Sequence, residues 1–336
     1  MTPQLSLVAA AAGTHLPKGA SIHYWQAIIL GVIQGVTELF PVSSIGHTVV
    51  LPALFGWHNV VAAQSASESF WLAFVVGLHV GTALALVAYF RNDWVDILYG
   101  LGRSIRTRRI ETSSERLAWL LIVATIPAGL TGLLLEHKLR VLFAKPLAAS
   151  IFLVVNGCIL AAGEIFRRRA EVRARRAERL AVRAQRAAAV EAVRGLARPP
   201  QLSSTGLVER HLDSLQLREG FVIGVAQIFA LVAGISRSGI TIVAGLLRGL
   251  DYEDAARFSF MLATPVILAA GVLKLPDLTG PLGAGVRGQT IVAAIFAGVA
   301  AWFSVRFLSA YFTTRTLAPF AGYCLIAGTL LVIRFA

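Results

Sequence analysis

The stretch Gln34-Gly35-Val36-Thr37-Glu38-Leu39-Phe40-Pro41-Val42-Ser43-Ser44-Ile45-Gly46-His47 sets a carboxylate, two adjacent hydroxyls and an imidazole inside strongly apolar sequence. A charged group at membrane depth costs about 2.5–3.5 kcal/mol on insertion scales, so a cluster of polar groups there marks a functional site. Pro41 splits the apolar run from Tyr24 to Phe55 into two halves. Each is about 16 residues, or roughly 25 Å of helix, short against a hydrocarbon core of about 30 Å. The pattern predicts a broken or re-entrant helix pair.

The surrounding composition agrees with a membrane setting. Of 336 residues, 56% are hydrophobic and only 15% charged, and the mean hydropathy is +0.70. Soluble domains carry nearer a quarter charged residues. The expectation is an all-α polytopic membrane protein. Spanning helices are predicted over 70–90, 117–135, 147–166, 258–275, 290–308 and 317–335, each near the length a crossing needs. Residues 1–20 form an N-terminal tail with no pattern of a cleaved signal peptide.

The formal net charge of +13 is concentrated. Arg103, Arg106, Arg108 and Arg109 sit in a loop predicted over 91–116, and a denser basic run extends from Arg167 through Arg218. The positive-inside rule puts both in the cytoplasm; nucleic-acid or anionic-lipid binding by the arginine-rich segment is the alternative, and no nucleic acid is the expectation. The low-complexity Ala/Arg/Glu/Val segment from 167 predicts a solvated helix ending near Gly195 and Pro199-Pro200, followed by a polar linker over 201–218. Residues 136–146 and 276–288 are predicted as connecting loops. Cys158 and Cys324, each alone in an apolar run, are expected as small buried side chains.

Displacing the sequence by 193 positions superimposes a second polar centre on the first. Gly31, Val32, Gln34, Ser43, Gly46 and Thr48 fall on Gly224, Val225, Gln227, Ser236, Gly239 and Thr241. Three spanning segments follow each centre. An odd number makes the second copy enter from the opposite side, which predicts an inverted-topology repeat with its site near the midplane. The expected organisation is membrane repeat 1 over 21–166, an Arg-rich cytoplasmic insert over 167–218, and membrane repeat 2 over 219–336.

The two centres carry different chemistry. Gln34 and Glu38 share a helix face, Ser44 and Ser43 lie three and four residues before His47, and either serine can cap a helix after Pro41. Hydroxyl, imidazole and carboxylate are the parts of an activated nucleophile with its base. Glu38 is expected to orient His47 or to hold a divalent cation. In Gly234-Ile235-Ser236-Arg237-Ser238-Gly239, glycines allow close backbone approach and two hydroxyls flank a guanidinium. Arg237 with hydroxyls and helix-terminal amides suits a phosphate or diphosphate. Together the centres predict phosphoryl transfer from a lipid-borne phosphate, with Ser44 or Ser43 attacking and His47 moving the proton. His79 lies in a spanning run and lines the same cavity or makes a helix contact. His23, His58, His137 and His211 are expected in solvent. Glu164 is expected at an interface, and Asp251, Glu253 and Asp254 begin a capped helix.

These residues resemble the undecaprenyl-diphosphate phosphatase family of the bacitracin-resistance type. The resemblance rests on Gln34-x-x-x-Glu38 leading into Pro41-Val42-Ser43-Ser44-x-Gly46-His47, and on Gly234-x-Ser236-Arg237-Ser238-Gly239. It implies hydrolysis of undecaprenyl diphosphate to the monophosphate, which recycles the lipid carrier of cell-wall synthesis. It also implies a divalent cation (Mg²⁺ or Ca²⁺), a homodimer, competition by bacitracin for the substrate, and a bacterial inner-membrane protein whose site faces the outer side. The functional residues implied are Glu38, Ser43, Ser44, His47, Ser236, Arg237 and Ser238, with Gln34, Gly234 and Gly239 around the substrate. Gln34 stands at a first acidic position and Ala233 where Pro is usual before the glycine. A polyprenyl-phosphate transporter or flippase using the same anion pocket is the competing expectation.

Overall fold

A computed structural model describes residues 21–65, 70–143, 145–193, 210–280 and 285–336. Twelve α-helices carry these residues, and the only extended pairing among them is a single bridge between Arg210 and Leu250. In chain order they are α1 (Tyr24–Leu39), α2 (Ser44–Leu54), α3 (His58–Ser65), α4 (Phe70–Tyr89), α5 (Arg91–Thr107) and α6 (Ser113–Phe143). There follow α7 (Pro146–Val193), α8 (Leu217–Gln227), α9 (Arg237–Leu247), α10 (Tyr252–Thr279), α11 (Arg287–Phe312) and α12 (Ala318–Phe335). Within α4, α6, α7, α10, α11 and α12 lie six stretches long and apolar enough to cross a membrane. The protein is an all-α polytopic membrane protein. Its outer surface exposes large apolar side chains such as Leu84, Leu134, Phe303 and Ile326, as a lipid-facing surface requires.

The first break follows from Pro41. The residue before a proline is driven out of the helical region, and Phe40 is extended at φ −63°, ψ 138°. Ser43 then takes φ +70° and caps α2, accepting a hydrogen bond from the Gly46 amide at 3.3 Å. The second break lies earlier than the sequence suggested. A 3-10 turn over Ile228–Leu231 ends α8, and the chain is irregular until Ser236 caps α9 by accepting from the Gly239 amide at 3.1 Å.

Small residues set how the helices lie. A Cβ on Gly31 or Gly35 would collide with the α11 backbone at Ala293 or Ala297, and one on Gly81 with Ala294, so α1 and α4 are both seated on α11. Gly224 meets the α6 backbone at Ala124 in the same way. Thus Gly31 and Gly224, which the 193-residue displacement superimposes, press against α11 and α6.

Several connections differ from expectation. The predicted loop 91–116 is mostly the helix α5, with Ile97, Gly100 and Ser104 buried. Most of link 136–146 belongs to α6, which runs to Phe143. Much of the predicted loop 276–288 is helical too: α10 continues through Pro276 to Thr279, since a proline there frees only one backbone acceptor near a helix end. Helix α7 passes from the membrane stretch into the Arg-rich stretch without interruption. Its 48 residues span about 72 Å, more than twice a hydrocarbon core. The expected helix end near Gly195 and Pro199-Pro200 lies outside the described residues. Residues 210–216 are packed rather than a free linker: Leu212 and Leu215 are buried, and Arg210 pairs with Glu219 at 2.8 Å. Cys324 is buried as expected but Cys158 is exposed, because it faces outward from α7. Glu164 is buried, accepting hydrogen bonds from Tyr252 Oη at 2.7 Å and Arg168 Nε at 2.6 Å. His23, His58 and His211 are exposed; the His137 side chain and the tail 1–20 lie outside the described residues. Asp251 caps α10 through the Asp254 amide, as the acidic run predicted.

Candidate active site

Hydrogen bonds fasten the two helix breaks to each other. The Gly234 amide donates to Ser43 Oγ at 3.2 Å across 191 residues of chain. Asn156 of α7, fully buried, donates from Nδ2 to the Pro41 carbonyl at 2.9 Å and accepts the Ser236 amide on Oδ1 at 3.0 Å. Ser238 Oγ donates to the Phe40 carbonyl at 3.3 Å. Gly234 is required where it stands: its φ is +105°, and a Cβ would strike Ala149 and Phe152 of α7.

Around this clamp the functional groups converge on Glu38, which is only 6% exposed. Arg237 Nη2 donates to Glu38 Oε1 at 2.8 Å. Ser44 Oγ donates to Glu38 Oε2 at 2.5 Å, and Gln34 Nε2 reaches the same oxygen at 3.1 Å. His79 Nε2 stands 3.2 Å from Oε2 as well. Arg237 Nη1 also donates to the Ser259 carbonyl at 3.3 Å, which fixes the plane of its guanidinium. The carboxylate thus joins α1, α2, α4 and α9.

The geometry separates the serines. Ser43 Oγ accepts two backbone amides, and Ser236 Oγ caps α9 while contacting Ser238 Oγ at 3.0 Å. Those hydroxyls hold backbone in place. Only the Ser44 hydroxyl is directed at the carboxylate beside the guanidinium. His47 is arranged differently from the expectation, because Glu38 is engaged by His79 and not by His47. The His47 Nδ1–H donates to the Ser43 carbonyl at 2.6 Å, and Nε2 accepts from Tyr323 Oη at 2.7 Å, with the two rings stacked. Sequence reasoning did not single out Tyr323 or Asn156. A lone Asn in an apolar span carried a usable signal, as any buried amide at membrane depth needs partners. A Tyr near a helix start carried none.

The model of the bacitracin resistance protein BacA family matches residues 27–330. The chain belongs to that family. Among curated members, undecaprenyl-diphosphatase 2 of Frankia alni is 55% identical over 336 residues, covering 93% of this chain and 98% of its own. The undecaprenyl-diphosphatase of Mycolicibacterium paratuberculosis is 52% identical over 311 residues, with 92% and 96% covered. That of Granulibacter bethesdensis is 43% identical over 314 residues, with 92% and 95% covered. The BacA match spans both helix breaks, five of the six apolar crossings and most of the sixth, Ala318–Phe335.

Proposed function

We propose that this membrane-embedded BacA-family chain hydrolyses undecaprenyl diphosphate to undecaprenyl phosphate and inorganic phosphate, returning the lipid carrier to cell-wall synthesis. The observation that carries the mechanism is the Ser44–Glu38–Arg237 contact: a hydroxyl on a carboxylate, beside a guanidinium, at a helix start.

Arg237 and the first amides of α9 bind the diphosphate oxygens, where a fixed charge in a low-dielectric site is strongest. Ser44 Oγ attacks the terminal phosphorus as its proton passes to the Glu38 carboxylate. The bond from that phosphorus to the bridging oxygen breaks, and undecaprenyl phosphate leaves. Water then cleaves the phosphoserine, releasing phosphate and restoring the hydroxyl. His47, held by the Ser43 carbonyl and Tyr323, moves the proton of the leaving group or of the water. Gln34, Gly234, Ser236, Ser238 and Gly239 shape the substrate seat. A divalent cation, Mg²⁺ or Ca²⁺, suits Glu38 with substrate phosphates in its shell, and when bound it neutralises phosphate charge.

The finer organisation belongs to the same reading. The halves oppose each other in the membrane, the site faces the outer side of the bacterial inner membrane, and the Arg-rich end of α7 is cytoplasmic. The protein acts as a homodimer, and bacitracin competes for its substrate. The meeting of two broken helices favours a second reading, a polyprenyl-phosphate carrier using the same pocket. The test is phosphate release from undecaprenyl diphosphate by purified protein with Mg²⁺ or Ca²⁺ and then with chelator. Cation-dependent release that Ser44→Ala abolishes supports the hydrolase. Lipid transfer that survives Ser44→Ala, without phosphate release, supports the carrier.

A further inference from the structure

The contact between His79 and Glu38 has an unusual composition. His79 Nδ1 lies 2.8 Å from the Val75 carbonyl. A carbonyl only accepts, so Nδ1 carries a hydrogen, and in the neutral ring Nε2 is a lone pair. That lone pair faces Glu38 Oε2, a carboxylate oxygen, at 3.2 Å. Two acceptors at this separation need a positive centre between or upon them. A ring whose other N–H is tied to a backbone carbonyl is also the arrangement that orients metal-ligating histidines.

Two further observations point the same way. Ligands about 2.0–2.2 Å from an ion and at right angles around it stand about 3 Å apart, which matches the Nε2–Oε2 spacing. Gln34, fully buried, contacts Glu38 Oε2 through Nε2, and its Oε1 has no partner among the described residues. An orphaned buried carboxamide oxygen beside a carboxylate is a ready third donor. The other group of this type among the described residues, His211 with Asp251 and Asp254, is engaged in capping and backbone contacts.

We propose that His79 Nε2 and Glu38 Oε2 are neighbouring ligands of the divalent cation, with Gln34 Oε1 completing the protein's share. The inference rests on the phosphatase reading for the role of the ion, not for its position. A nitrogen in the set makes the site receptive to Mn²⁺ and not to oxygen-seeking cations alone. It also gives Gln34 a part as a neutral oxygen ligand. The positions of both side chains come from packing: α1 and α4 are registered on the same helix, α11, through Gly31, Gly35 and Gly81.

The experiment uses the whole protein in detergent with Mn²⁺ as probe, with and without inorganic pyrophosphate. Electron spin-echo modulation of bound Mn²⁺ should show a directly coordinated ¹⁴N. His47→Ala should keep that coupling. His79→Gln, which leaves an all-oxygen set, should lose it while still binding Mn²⁺. His79→Ala should weaken Mn²⁺ by at least the 10–100-fold typical of losing an outer-shell partner. Size-exclusion and thermal profiles screen each variant for folding, and His79→Asn is the substitute if alanine fails. Absence of Mn²⁺ binding, bound Mn²⁺ without ¹⁴N coupling, or coupling that persists in His79→Gln each overturns the ligand set. Parallel phosphate release separates the two claims. Coupling without hydrolysis sinks the phosphatase and leaves the ligands standing, whereas cation-dependent hydrolysis without coupling does the reverse.

Discussion

The two helix breaks share a frame and differ in their chemistry. Ser43 caps α2 through the Gly46 amide, and Ser236, 193 positions on, caps α9 through the Gly239 amide. Around these equal caps the remaining positions diverge. Glu38 corresponds to Leu231, Ser44 to Arg237, and His47 to Ile240. On the proposed mechanism the first break would supply nucleophile and base and the second the anion-binding charge, while the cap serines of both hold backbone. Similar serine caps thus frame two breaks whose other polar side chains differ.

The largest expected effect tests that division. Ser44→Ala should lower the rate constant for phosphate release about 10³-fold or more, equivalent to roughly 4 kcal/mol of activation free energy. Ser236→Ala should retain most of the rate, in a malachite-green assay at saturating substrate. Equal losses in both would mean that the breaks are not chemically distinct.

Arg237→Ala comes next. It removes both the anion contact and the partner of a buried carboxylate, so activity should fall about 10²–10³-fold. Stability should also fall, by less than the about 3–5 kcal/mol of a fully uncompensated buried charge, because Ser44, Gln34 and His79 still contact Glu38. Arg237→Lys should recover stability better than activity, because an ammonium lacks the fork that meets both Glu38 and the Ser259 carbonyl. A full recovery of activity by lysine would show that charge alone is needed.

Asn156→Ala breaks the fastening between the breaks. It leaves the Ser236 amide buried without a partner, at about 1–3 kcal/mol, and the Pro41 carbonyl with only the Cys324 thiol at 3.9 Å. A lower thermal midpoint by tryptophan fluorescence, with reduced activity, is expected. An unchanged midpoint would mean the halves are held by helix packing alone. The smallest effects concern the caps themselves. Loss of an N-cap costs about 0.5–2 kcal/mol. Ser43→Ala should lie at the upper end because it strands the Gly234 amide as well, and Ser236→Ala nearer the lower end. A reversed order would contradict the fastening role of Ser43.

Much of this was legible in the chain. Apolar runs of membrane length can be satisfied only as helices, so composition and period sufficed for the fold class. Polar residues within such runs are costly, and that cost singled out Gln34, Glu38, Ser43, Ser44, His47 and Arg237 as candidates. Pro41 announced the first break because a proline constrains the residue before it regardless of context. The second break was harder to place, since Ala233 and Gly234 permit many conformations and the 3-10 turn over Ile228–Leu231 has no sequence marker.

Partner choice among those residues was decided only in three dimensions. His47 is nearer Glu38 in sequence, yet His79, from another helix, makes the contact, because glycines seat α1 and α4 on a common surface of α11. His47 turns instead to Tyr323, and Asn156 joins two loops that lie far from it along the chain. The sequence alone determined which residue types must meet at membrane depth, since that is a matter of solvation cost. Which atom meets which depends on helix register and crossing, and those are set by close packing among residues distant in the chain.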